Sequence, residues 1–109
     1  MLIDFKDEDF ENKVKKEDVS VIQFSAAWCG PCKSLKPVMD KLSDEYKDKN
    51  FFWAYADVED GGINTGSAMG IRGVPSTIIF RRGVEVDRLV GFPGETKVKS
   101  FLDNSISSE

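Results

Sequence analysis

"SAAWCGPCK", residues 25–33, carries both cysteines of the 109-residue chain, three positions apart with Gly30 and Pro31 between them. Their neighbours set their geometry. Upstream, residues 19–26 are apolar on both faces. Val19 and Val21 share one face and Ile22 and Phe24 the other, the pattern of a strand buried in the middle of a sheet. Downstream, Cys32, Leu35, Met39, Leu42 and Tyr46 recur at steps of three and four and mark one face of a helix. Pro37 lies inside that helix and removes the bond to the Lys33 carbonyl, so a kink is expected there. The cysteines therefore stand where a central strand hands over to a helix N-terminus.

Such a pair can hold a metal, staple the chain or perform redox chemistry. A structural zinc site takes four thiolate or imidazole ligands. With two cysteines and no histidine, one chain cannot complete it, and only a site shared between two chains survives. A disulfide between residues three apart closes a very short loop, so it removes little freedom from the denatured chain, and disulfides rarely persist in the cytosol. Two inert buried thiols fit poorly with Gly30 and Pro31, which favour a turn at the surface.

Dithiol–disulfide exchange fits best. Unpaired backbone N–H groups and the positive end of the helix dipole favour a thiolate at Cys29, and thiolate is the attacking species. Cys32 lies on the same helical face and begins the apolar stripe, so it is expected to be the more buried sulfur. On that asymmetry Cys29 attacks and Cys32 resolves the mixed disulfide. Pro31 falls in the first turn, where its missing N–H is harmless. This chemistry needs no metal and no cofactor.

Outward from this stretch, residues 2–5 read as a short edge strand. Asp7 is a candidate N-cap for a helix whose face holds Phe10 and Val14. Residues 51–58 form a second apolar strand. Residues 61–70 hold four glycines and give a weak helix signal, so a short, irregular or mobile helix is expected. Residues 77–80 and 84–90 form a hairpin around Arg81, Arg82 and Gly83. Val98, Phe101, Leu102 and Ile106 mark the inner face of a last helix, and residues 105–109 read as a fraying tail. Early strand–helix alternation implies parallel pairing, and the late hairpin implies antiparallel pairing. The expected product is an α/β domain over residues 1–109, one mixed sheet with helices on both faces.

Composition narrows the partners. Hydrophobic residues make up 40% and charged residues 31%, ordinary for one globular domain. The net charge is −4, and the one basic cluster, Lys13, Lys15 and Lys16, is interleaved with Glu11, Glu17 and Asp18. Nucleic acid and anionic membrane are therefore not expected as direct ligands. No apolar run is long enough to span a bilayer, and the acidic start lacks the features of a signal peptide. An intracellular, cytoplasmic protein is expected as encoded; a mature chain stripped of a leader would read the same.

Trp28-Cys29-Gly30-Pro31-Cys32-Lys33 resembles the active-site motif of the thioredoxin family. Gly70-Ile71-Arg72-Gly73-Val74-Pro75-Ser76 resembles that family's cis-proline loop, and Gly91 falls where the family has a glycine after its last strand. Phe24, Ala26 and Pro37 fit as well, so the resemblance covers nearly the whole chain. It implies a sheet of four or five strands flanked by helices and a monomer that reduces protein disulfides, with a thioredoxin reductase returning the electrons. It also implies that Val74–Pro75 is cis; from the residues alone Pro75 reads equally as the first residue of a strand. The backbone of Val74 would pair with an extended substrate segment. Trp28, Gly30, Pro31, Val74, Pro75 and Gly91 would then form an apolar rim around Cys29. Trp28 reads equally as cover for the core, in which case its indole needs an N–H partner.

Two positions depart from the family. Gln23 stands where thioredoxins usually bury an aspartate near the resolving sulfur, and Tyr55 where its lysine partner is common. Their joint absence leaves no orphan charge. Glutamine cannot accept and return a proton at neutral pH, so Gln23 is either a satisfied buried amide or the mark of a Cys32 activated without a local base. Gln23, Tyr55 and Lys33 are the candidates to tune the sulfurs. Two other functions stay open: a thioredoxin-like oxidant or isomerase, which differs in reduction potential, and a non-catalytic thioredoxin-like binding subunit.

Overall fold

Every residue of β2 (Val19–Ser25) is buried, which fits a strand flanked on both edges and both faces. β2 pairs in parallel with β3 (Phe52–Asp57) and antiparallel with β4 (Ser76–Arg81). The short β1 (Ile3–Asp4) runs parallel to β3, and β5 (Val84–Val90) antiparallel to β4. The order is β1-β3-β2-β4-β5, the mixed sheet expected from the element order. The computed structural model describes residues 1–46, 49 and 51–107.

The period-two alternation of the central strands splits the core in two. On one face, α1 (Gly30–Glu45) and α3 (Glu95–Ser107) lay Leu35, Met39, Leu42, Val98 and Leu102 onto Val19, Val21, Trp53 and Ile79. The other face buries Phe5, Val14, Ile22, Phe24, Ala54, Ala56, Ile78 and Phe80, with Phe10, Val58, Met69 and Ile71 packed against them. Leu35, Met39 and Leu42 are fully buried. At roughly 1.5–3 kcal/mol each, they fix α1 firmly enough to aim its N-terminus. α1 runs on through Pro37, which is exposed.

Residues 82 and 83 close the β4–β5 hairpin with φ of 51° at Arg82 and 84° at Gly83. Positive φ at both central residues is what a two-residue turn needs to follow the twist of its strands. Arg81, expected in the turn, belongs to β4 instead. The tail is likewise shorter than expected. α3 continues to Ser107, and Ser105 is buried and donates from Oγ to Asp87 at 3.1 Å. Residues 108–109 lie outside the described residues.

Two expectations for the first half change. Residues Phe10–Val14 form a π-helical turn, closed by Lys15 N–H donating to the Phe10 carbonyl at 3.0 Å. Asp7 does not cap it. Its carboxylate reaches the first turn of α2 (Ile63–Ala68), accepting from the backbone N–H of Asn64 (3.1 Å) and Thr65 (2.9 Å) and from the Thr65 hydroxyl (2.8 Å). The glycines that weakened the helix signal let α2 sit close. A Cβ on Gly62 would stand 2.9 Å from the Ala56 Cβ, and one on Gly66 3.0 Å from a Val58 methyl.

Partial burial pushes the Asp7 carboxyl up, but the Thr65 and Asn64 backbone bonds and the Thr65 hydroxyl together outweigh it and hold it below its ordinary 3.8. A depressed carboxyl stabilises the fold above its unfolded value and loses that contribution as pH falls through its folded value. Asp7→Ala is therefore expected to cost about 1–2 kcal/mol at neutral pH. Urea titrations of the two proteins should converge below pH 3.8. Parallel curves would show that the carboxylate does not hold α2.

Candidate active site

The end of β2 and the start of α1 are joined by residues 26–29, and Cys29 is the N-cap of α1 (φ −87°, ψ 111°). Gly30 and Pro31 make the first two helical positions, where the proline's missing N–H costs no intrahelical bond. One of the remaining free donors, Cys32 N–H, points at Cys29 Sγ at 3.1 Å. Lys33 N–H donates to the Cys29 carbonyl at 3.3 Å. Cys29 and Cys32 form a disulfide, with Cα atoms 5.3 Å apart.

Cys32 is buried as expected, at 0% exposure, but Cys29 lies deeper than expected, at 3%. Their order of accessibility is as read, but in the disulfide form Cys29 shows only an edge to solvent. The exposed surface is its surroundings, Gly30, Pro31 and above all Trp28 at 68% exposure. Trp28 is thus not core cover, and its indole N–H donates to Glu59 at 3.0 Å. Glu59 is held in turn by its own N–H on the Asp57 carboxylate at 2.9 Å.

A second segment meets the sulfurs from the opposite side. Val74 packs against Ala26, Cys29 and Cys32. The Val74–Pro75 peptide bond is cis, Pro75 is buried, and its carbonyl accepts from Gly91 N–H at 2.7 Å. Gly91 adopts φ of 89°, a conformation that disfavours a side chain. Trp28, Gly30 and Pro31 on one side and Val74, Pro75 and Gly91 on the other therefore flank the disulfide.

Gln23 lies beneath. It is wholly buried, and its Nε2 donates to the Cys32 carbonyl at 3.1 Å and to Ser25 Oγ at 2.9 Å. A carbonyl only accepts, so the amide nitrogen must face it. Gln23 is a tie between β2 and the first turn of α1. Its Oε1 has no partner among the described residues, and neither has Thr77 Oγ1, one strand over in direct register. Tyr55 is in register on the other side and half-buried, with the Lys36 ammonium 5.5 Å from its ring centroid. The side chain of Lys33 is exposed and makes no hydrogen bond or ion pair among the described residues, so it does not join the cluster.

Sequence reasoning missed Ser25, Glu59 and Thr77. Ser25 and Thr77 carry a readable signal, since period-two alternation puts Ser25 on the face of Gln23 and Thr77 is a polar residue in a buried strand. Glu59 carries none, because its partner is fixed by the path of a loop.

A model of the thioredoxin family matches residues 1–104. A chloroplastic thioredoxin of Arabidopsis thaliana is 38% identical over 97 residues, 87% of this chain and 49% of that protein. A mitochondrial thioredoxin of Schizosaccharomyces pombe is 36% identical over 83 residues, 76% of this chain and 60% of that one. The chain thus spans about half the length of the first relative and three fifths of the second. A thioredoxin of Staphylococcus aureus matches at 31% identity over 96% of this chain and 98% of its own. Among solved structures, a mutant thioredoxin from Halobacterium salinarum superposes with a TM-score of 0.80 at 30% identity, covering 95% of this chain and 88% of that one. With the five-stranded order, the Cys29–Cys32 disulfide at the strand–helix junction and a family match over residues 1–104, the fold is the thioredoxin fold and the chain belongs to the thioredoxin family.

Proposed function

We propose that the protein is a thiol–disulfide oxidoreductase that reduces disulfides in other proteins, with Cys29 as nucleophile and Cys32 as resolving thiol. The observation that carries this reading is the Cys32 N–H aimed at Cys29 Sγ. A donor at a helix N-terminus stabilises negative charge on that sulfur more than on its neighbour. In the reduced protein, the Cys29 thiolate attacks one sulfur of a substrate disulfide, and the other leaves as a thiolate that takes a proton. Cys32, losing its proton, attacks Cys29 Sγ. The second substrate thiolate leaves, and the Cys29–Cys32 disulfide remains. Two electrons pass to the substrate, and a thioredoxin reductase is the donor class that would restore the dithiol.

Recognition would use the flanking groups. An extended substrate segment lies along the Val74 backbone by strand addition, with Trp28, Gly30, Pro31, Pro75 and Gly91 as the surrounding apolar rim. No helix among the described residues is long and apolar enough to cross a membrane. We propose that residues 1–109 act as one thioredoxin domain, as a monomer and in the cytoplasm.

The test is the alkylation rate of the reduced protein at pH 7, with insulin-type disulfide reduction driven by dithiothreitol. A thiol half-ionised at pH 7 has about fifteenfold more thiolate than a free cysteine and loses about fivefold in intrinsic nucleophilicity, a net gain of about threefold. Cys29 should show a gain of about that size, with a midpoint below that of a free thiol. A rate equal to free cysteine, or no reduction of insulin, overturns the reading. Equilibration with glutathione separates a reductase from an oxidant, which would be reduced at much milder potentials.

A further inference from the structure

The loop that carries Val74 and Pro75 begins where α2 ends, and the Met69 carbonyl at that end takes its partner from another strand. Gly70 N–H donates to the Ser67 carbonyl at 3.1 Å and Ile71 N–H to the Gly66 carbonyl at 3.0 Å, with Gly70 at φ 67°. This pair of bonds is the Schellman arrangement, which leaves the carbonyl of the C-cap residue, Met69, outside its own pattern. Arg88 of β5 takes it, with Nη2 donating to the Met69 carbonyl at 3.0 Å.

The guanidinium is not free to choose that direction. Glu85, on the same strand, grips it side-on, with Nε to Oε2 at 2.7 Å and Nη2 to Oε1 at 2.7 Å. Nη2 has two protons. The fork fixes one, and the planar geometry then aims the other at Met69. The Arg88 hydrogen bond also holds the Glu85 carboxyl below its ordinary value, so the pair stays charged across the neutral range.

The far end of the loop is tied to the same side of the molecule. Gly91, directly after β5, donates to the Pro75 carbonyl at 2.7 Å. The segment from Gly70 to Val74 thus hangs between two anchors, Arg88 at its entrance and Gly91 at its exit. Inside it, Ser76 Oγ braces the Gly73 carbonyl at 2.6 Å.

We infer that Arg88, oriented by Glu85, is a positioning residue for substrate binding: it holds the entrance of the Gly70–Pro75 strap so that the Val74 backbone is in place before a substrate arrives. The inference rests on the proposed reductase reading and adds a recognition role to it. Arg88 touches neither sulfur, and its removal leaves the Cys32 N–H on Cys29 Sγ intact. The effect therefore belongs in substrate affinity and not in thiol chemistry.

The test is steady-state reduction of insulin, reduction of a small aromatic disulfide that needs no backbone pairing, and alkylation of Cys29. Arg88→Ala is expected to raise KM for insulin about fivefold while kcat, the small-disulfide rate and alkylation stay within about twofold. Arg88→Lys keeps a donor but loses the fork and should fall between. Glu85→Gln, which leaves the guanidinium in place but loosens its aim, should move KM the same way by less. If Arg88→Ala does not fold, the Arg88→Lys and Glu85→Gln pair carries the same comparison. An unmoved KM in a folded variant, or a parallel fall in kcat and alkylation, overturns the role of Arg88. A native protein that reduces neither disulfide overturns the reductase reading first, and the inference with it.

Discussion

Cys32→Ser is expected to stop turnover while leaving the first chemical step intact. The donor that favours a thiolate on Cys29 is the backbone N–H of residue 32, at 3.1 Å from Sγ, and a serine keeps it. Serine also nearly matches cysteine in volume, so the fully buried site beneath α1 stays filled. The variant should be alkylated at Cys29 as fast as the reduced native protein and should attack a substrate disulfide at a similar rate. It then has no neighbouring sulfur with which to release the substrate. A stable mixed disulfide should accumulate to one equivalent, visible as a mass shift that dithiothreitol reverses. Turnover should fall by about a thousandfold or more, because a millimolar external thiol must replace an internal one whose effective concentration is molar or higher. Full activity from this variant would mean that Cys32 does not resolve. A slow first step would mean that its side chain, and not the backbone N–H, activates Cys29. The double variant Cys29→Ser, Cys32→Ser separates an oxidoreductase from a binding subunit, which would keep its biological function without either thiol.

Much of this site is local and was therefore legible. The two-faced apolar run of β2 and the stripe Cys32, Leu35, Met39 and Leu42 fix a strand–helix junction, and the cysteines are only three residues apart. What brings Val74 to them is not local. Val74 lies 42 residues beyond Cys32, and nothing in spacing or periodicity pairs the two segments; family resemblance supplied that. The same limit explains Asp7. It reads as a cap because it has the right side chain before an apolar helical face, yet the donors it meets belong to Asn64 and Thr65. The glycines of residues 61–70 rightly signalled a short helix, six residues long, but not what the glycines are there for. Helix propensity treats glycine as a cost, whereas at Gly62 and Gly66 the absent Cβ is what lets α2 approach Ala56 and Val58. Arg88 shows the limit most plainly: a charged residue on an exposed-looking edge strand gives no sign that its second N–H closes the end of a helix.

Gln23→Asp should cost stability in proportion to pH. Position 23 is fully buried, and the two atoms its Nε2 now serves, the Cys32 carbonyl and Ser25 Oγ, sit 3.1 and 2.9 Å away. A carboxylate there has no cation to meet, since Tyr55 occupies the neighbouring register position and Lys36 lies over the tyrosine ring, where it also pairs with Asp40 at 3.4 Å. It would also face a carbonyl oxygen. Burial therefore raises the folded pKa of the new acid, by about three units for a group this enclosed. A raised carboxyl is protonated and nearly harmless at low pH. It destabilises increasingly as pH rises from its unfolded value towards its folded one. Urea unfolding should show the variant close to the native protein near pH 4 and about 4 kcal/mol less stable at pH 7. A pH-independent difference would mean that the carboxylate finds a partner or water and that the site is more open than its burial indicates. The folded fraction should also gain a proton acceptor under Cys32, so its mixed-disulfide resolution should depend less steeply on pH than in the native protein. Superimposable profiles would show that resolution in this chain never needed a base at position 23, and that Gln23 serves only to fasten the first turn of α1 to β2.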